Sequence, residues 1–254
     1  MRDGSNCHPE RREDMKNYVI TIARGFGSGG KEIGNEVAKR LGIPCYEKRI
    51  LKMASEFSGL NEKLFFDIDE KLRGSYLHKR MKGMLDYSAV PDPASKDFVS
   101  DESIYQLQAY IIRDLANFES CVIVGKCANK ILEQWPNVIS IYIEAPREKC
   151  RQSIMEKMQV SEKEADRLIT KTDKYRAEYY KYYTGGDYWT NPTSYDLTIN
   201  TGRVGRERAV DLIIDYLKMD TTLSISLTPS LTSLRKGKYK DAFFKIRINS
   251  YSYN

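Results

Sequence analysis

The chain reads as an α/β protein in three layers, a five-stranded and mainly parallel sheet with helices on both faces. Short β-branched runs recur between helical stretches, and such runs, apolar throughout rather than alternating, suit strands buried on both sides. The first run, YVITIAR, passes through a glycine-rich turn into a helical pattern, which is the order a βα unit requires.

Val19, Ile20 and Ile22 give the first strand its β-branched character. Behind the turn, Ile33, Val37, Ala38 and Leu41 recur at helical spacing, and Gly42 before Ile43-Pro44 predicts the stop. IPCYEK (43–48) is a second strand, CVIVG (121–125) a third, VISIYIEA (138–145) a fourth and YDLTIN (195–200) a fifth. Residues 49–118 form a helical insertion, broken by the Pro-containing stretch at 88–97. Its last helix carries Ile104, Leu107, Ile111, Ile112 and Leu115 on one side, with Asp101 or Ser103 available as cap. Residues 1–14 are a polar extension, 15–219 the folded unit, and 220–254 a Ser/Thr-rich then basic and aromatic appendage without catalytic duty.

Composition narrows the chemistry. A net charge of +6 spread over 76 charged residues suits anionic small molecules as readily as nucleic acid. No RRM, KH or zinc-finger pattern is present, so nucleic acid rests only on the basic tail. Five cysteines without a CxxC pair read as reduced thiols, and two histidines leave little for a zinc site or a His-based triad. No run reaches 18 apolar residues and the first 14 residues lack an apolar centre, so the expectation is a cytoplasmic protein without a membrane partner. A homo-oligomer stays open.

The turn itself, GFGSGGKE, has Gly25, four residues, Gly30 and Lys31, the first seven positions of a phosphate-binding loop. Gly25, Gly27, Ser28, Gly29 and Gly30 bring backbone N–H groups around phosphate oxygens, and Lys31 adds charge. The eighth position breaks the pattern: Glu32 stands where a Ser or Thr ordinarily ligates Mg²⁺. A carboxylate there must repel phosphate, point away or hold metal through water.

Three blocks, ITIARGFGSGGKEIGNEVAKRLGIPCYEKRIL, CVIVGKCAN and the segment from Asp166 to Ile213, resemble in order and spacing the cytidylate kinase-like family of P-loop nucleoside monophosphate kinases, over about residues 18–217. The resemblance implies the P-loop NTPase type of fold, with a lid over about 147–190. It implies ATP as donor with Mg²⁺, and phosphoryl transfer to a nucleoside monophosphate, CMP or dCMP foremost, giving ADP and the diphosphate. The family's Asp-x-x-Arg motif falls on Asp173 and Arg176, the aspartate directed at the acceptor's ribose and the arginine at phosphates. YDLTINTG resembles the strand that ends Asp-Ser-Thr-Gly. Departures are informative: the motif's preceding arginine falls on Ile169, with Lys171 or Arg167 as substitutes, and the Gly-Arg after the third strand is Gly125-Lys126. Lysine keeps the charge and loses the planar fork.

The catalytic set implied is Lys31, Arg147, Arg151 and Arg176, the two middle arginines being lid cations or ordinary surface charges on spacing alone. The acceptor set is Glu47, Lys126, Lys171, Asp173 and Arg176. Ser28 and Glu47 are the candidates for metal, through water. The aromatic cluster Tyr175, Tyr179, Tyr180, Tyr182, Tyr183, Tyr188 and Trp189 stacks a base or, as the favoured role, packs the lid onto the core. A P-loop kinase for another small acceptor and a nucleotide-binding regulator with little turnover are the alternatives.

Overall fold

A computed structural model describes residues 17–47, 49–58 and 101–219. The polar extension at 1–14, the appendage at 220–254 and the break at 88–97 lie outside the described residues, as does the insertion between 59 and 100.

The elements run β1 (Val19–Arg24), α1 (Gly30–Leu41), β2 (Cys45–Tyr46), α2 (Arg49–Ser58), α3 (Asp101–Phe118), β3 (Cys121–Val124), α4 (Ala128–Ile131), β4 (Val138–Glu144), α5 (Arg147–Met158), α6 (Glu162–Tyr183), β5 (Leu197–Asn200), α7 (Thr201–Val204) and α8 (Arg206–Met219). The five strands pair in the order β2-β3-β1-β4-β5 and every pairing is parallel. Strand β1 is central, aligning Ile20 with Val122 of β3 and with Ile139 of β4. Strand β2 contains only Cys45 and Tyr46, shorter than the run at 43–48 suggests, because Pro44 precedes it and the chain turns into α2 at Arg49.

Alternation along β3 explains the layering. Cys121 and Ile123 face one core with Tyr46, Ile50, Leu107, Ile111 and Leu115, whereas Val122 and Val124 face the other with Ile33, Val37, Ala209, Val210 and Ile213. The sheet is therefore buried on both sides, by α2 and α3 on one face and by α1 and α8 on the other. Burying one such aliphatic side chain is worth about 1.5–3 kcal/mol, which accounts for the wholly apolar run Cys121–Val124 of β3. A third, smaller core joins α5 to α6 through Cys150, Ile154, Ala165 and Ile169, with Phe26 of the glycine-rich loop packed against it.

Helix α1 lies close on the sheet because of Gly34, where an added Cβ would come 2.9 Å from Val124 Cγ2 and 3.2 Å from Ile22 Cδ1. The packing predicts that Gly34→Val overfills this contact and costs about 1–3 kcal/mol, read as a lower urea midpoint with an unchanged slope.

Candidate functional site

The site grows out of the turn between β1 and α1, at the carboxyl ends of the strands where the chain order reverses about β1. Gly27 (φ 93°) and Gly29 (φ 91°) take left-handed backbone that other residues rarely adopt. Gly29 caps α1 with no side-chain hydrogen bond to the helix's first N–H groups. Those donors and the positive end of the helix dipole make a seat for an anion.

The loop is held from behind. Gly25 N–H donates to Ile143 O at 3.0 Å, and Thr201 Oγ1 donates to Ser28 O at 2.8 Å. Ser28 is buried, its hydroxyl 2.9 Å from Gly25 O and 3.1 Å from Ile143 O. That hydroxyl is thus a structural brace turned into the protein, away from the place a metal ligand would need. One face of α5 backs the loop: an added Cβ on Gly27 would come 2.7 Å from Cys150 O.

A cavity of about 600 Å³ opens over the loop, and Gly25, Gly27, Gly29, Gly30, Lys31 and Glu32 all line it. Lys31 Nζ stands 2.7 Å from Glu47 Oε2, and Arg24 Nη2 stands 3.2 Å from Glu47 Oε1. Glu47, just past β2, therefore holds both cations that flank the loop. Arg24 was not foreseen from sequence, although its place as the last residue of β1 put it next to any ligand of the turn. Lys126 lines the same cavity, in a run of three left-handed residues, Gly125 (φ 81°), Lys126 (φ 60°) and Cys127 (φ 53°).

Asp173 and Arg176 come to the loop from α6. Asp173 Oδ1 accepts the Phe26 N–H at 2.9 Å, and Arg176 Nη1 donates to Arg24 O at 3.0 Å while lying 3.4 Å from Asp173. The Arg176 guanidinium also sits 5.5 Å from the centre of the Phe26 ring. Arg176 lines the cavity, whereas Asp173 sits to the side and fastens the loop's first turn. Burial lifts the Asp173 carboxyl above its ordinary value, Glu144 adding to the rise against Arg176 and the Phe26 N–H. Burial and the nearby Arg24 cation push Arg176 down, with Asp173, Glu47 and Glu144 opposing. A guanidinium starts so far above neutrality that it stays charged.

The remaining candidates are placed differently. Arg147 bonds Asp166 Oδ1 (2.9 Å) and Thr170 Oγ1 (2.7 Å), and Arg151 bonds Asp166 Oδ2 (3.0 Å). Both arginines thereby tie α5 to α6 and neither lines the cavity. Lys171 is exposed and is also away from it, and Arg167 pairs with Glu164. In the aromatic cluster, Tyr183 stacks on Tyr105 of α3 with ring centres 3.8 Å apart, so these rings pack α6 onto the core. Tyr175, Tyr179, Tyr180 and Trp189 nevertheless present a wall to the cavity; Tyr188 is exposed.

The donor set does not fit a divalent cation held by the protein. Ser28 is committed to carbonyls, Glu47 to two cations and Glu32 to Lys157 Nζ at 2.5 Å. Among the described residues no group of three His, Cys, Asp or Glu could hold a metal. Glu32 is only partly buried; that burial raises its pKa, but the Lys157 and backbone contacts outweigh it and leave the carboxyl below its usual range.

The model of the cytidylate kinase-like family matches residues 19–203. The chain belongs to that family. A crystal structure of an uncharacterized protein from Eubacterium ventriosum ATCC 27560 resembles this member at 30% identity and a TM-score of 0.58, covering 80% of this chain and 99% of that one. Shikimate kinase from Bacteroides thetaiotaomicron is 13% identical with a TM-score of 0.47, covering 80% and 99%. No curated protein matches. Family and sheet order together make it a P-loop kinase by fold, as the sequence blocks imply. Among the described residues no helix is long and apolar enough to cross a membrane.

Because its folded-state pKa is raised, Asp173 supports the fold when protonated and loses that contribution as pH rises through the folded value. Asp173→Asn is expected to gain stability relative to the parent as pH rises from about 4 toward 7, measured as the difference in urea midpoint at each pH.

Proposed function

We propose that this cytidylate kinase-like protein transfers the terminal phosphoryl group of ATP to a nucleoside monophosphate, CMP or dCMP foremost. The observation that carries the reading is one shared space: the loop with Lys31 and the wall formed by Tyr175, Tyr179, Trp189, Arg176 and Lys126 line a single cavity. Its volume of about 600 Å³ lies in the range of small-molecule sites. Phosphoryl transfer asks for two nucleotides brought in line, neutralised charge on the migrating group and exclusion of water.

In this reading the N–H groups at Gly27 to Gly30 bind the donor's phosphates, and Lys31 turns from Glu47 to the same oxygens. Glu47, released from one partner, orients the acceptor. Arg176 and Lys126 meet the acceptor's phosphate from the far side, and the aromatic wall gives its base a face to lie on. Asp173 fastens the loop in this structure, so its part is to keep the donor seat in shape, and contact with an acceptor ribose would require it to leave Phe26. The Mg²⁺ that the family resemblance implies would come with the nucleotide and neutralise its phosphate charge, since Ser28, Glu32 and Glu47 are committed to other partners.

Coupled ADP release is expected to accelerate with CMP or dCMP over UMP and AMP. Acceleration by none of the four while ATP binds would reject monophosphate transfer and leave a kinase for another acceptor, or a regulator. Lys31→Met is expected to lower turnover at least about a hundredfold. Arg176→Ala should raise KM for the acceptor about tenfold or more with a smaller effect on that for ATP, read from initial rates with each substrate varied.

A further inference from the structure

Position eight of the loop is where the pattern fails, and the structure supplies a partner there. Glu32 Oε1 meets Lys157 Nζ at 2.5 Å across 125 residues of sequence. Lys157 belongs to the same face of α5 that already backs the loop. Cys150, Ser153, Ile154 and Lys157 follow the spacing of one helical face: Cys150 abuts Gly27, Ser153 accepts a hydrogen bond from Arg206 Nη2 at 2.8 Å, and Ile154 and Lys157 line the cavity. Arg206 in turn lies against Gly29, where an added Cβ would come 2.5 Å from its Nε. The α5 face is thus docked along the loop from its first glycines to the helix start.

We propose that the Glu32–Lys157 pair replaces the loop hydroxyl: Glu32 positions Lys157 at the cavity rim so that its ammonium binds the donor's phosphates directly. An ammonium has three N–H donors, and a carboxylate that takes one leaves two for phosphate oxygens. The Lys157 and Glu32 side chains are 37% and 46% exposed, so the lysine is open to ligand from the cavity side. An ion pair this wet contributes little to folding, and its value lies in placement. The arrangement also accounts for a carboxylate standing beside a phosphate seat, since its charge is matched before the anion arrives. The inference rests on the proposed reading of the loop as the ATP site.

The test is isothermal titration of the full chain with inorganic tripolyphosphate and with ATP, both in EDTA so that no metal contributes. Lys157→Met is expected to weaken both about tenfold, Lys157→Arg to restore binding to within about threefold, and Glu32→Gln to weaken it by a smaller factor. The double variant should bind no worse than Lys157→Met alone, as expected of two residues acting through one group. Thermal midpoints of all variants should match the parent, given the exposure of the pair. Parent-like binding by Lys157→Met overturns the proposal, and tighter binding by Glu32→Gln overturns the tether by marking Glu32 as a mere repeller of phosphate. A parent that binds neither ligand overturns this inference together with the kinase reading. Binding that depends on Lys157 without acceleration by any monophosphate upholds the inference and removes only the acceptor assignment.

Discussion

A helix start left without a side-chain cap, at the middle of a buried parallel sheet, is the constraint on which the rest of the structure depends. Gly29 closes the turn into α1 in left-handed backbone and, having no side chain, offers no acceptor to the first N–H groups of α1. Such donors are costly unless water or an anion meets them. Everything around the turn serves to keep it in shape while leaving its mouth open. Ser28 and Thr201 brace it from below, Asp173 fastens Phe26 from the side, and the α5 face stands behind Gly27.

Charge is arranged with the same economy. Lys31 and Arg24 share Glu47, Arg176 lies against Asp173, and Glu32 is matched by Lys157. Lys31, Arg24, Arg176 and Lys157 each have a carboxylate that, in the proposed reading, an incoming phosphate displaces, so these like charges are matched in the meantime. The site is therefore poised by competition: anions of the protein occupy positions that anions of a ligand would take. Arg147 and Arg151 differ in place: Asp166 holds them where α5 joins α6, and neither lines the cavity.

The aromatic cluster shows how one set of residues serves packing and site together. Tyr180 and Tyr183 are buried in the core that also holds Leu107, Ile111 and Leu115, whereas Tyr175, Tyr179 and Trp189 are partly buried at its edge and reach the cavity. Because α6 carries both this packing face and Arg176, the docking of its tyrosines on α3 sets where the guanidinium lies. Packing of this kind is insensitive to salt and falls off steeply with misfit, a suitable foundation for a charge whose position matters.

Local chemistry was legible in the sequence wherever neighbours in the chain are neighbours in space. The β-branched runs, the glycine turn with Lys31 and the stop at Gly42 all follow from propensity and spacing within about a dozen residues, and the resemblance of three blocks carried the family. Pairings across long separations were not legible, because side-chain periodicity says which face a residue occupies and nothing about which helix will meet it. Glu32 looked like a defect in a motif until α5 brought Lys157 to it; Ser28 looked like a spare hydroxyl until burial gave it two carbonyls. Arg147 and Arg151 had the right spacing for lid cations, and Asp166 is what directs them elsewhere. Sequence determined the loop, the strands around it and the family they belong to; tertiary structure alone decided which charge each carboxylate neutralises, since Coulomb attraction acts on distance in space and the chain's order does not record that distance.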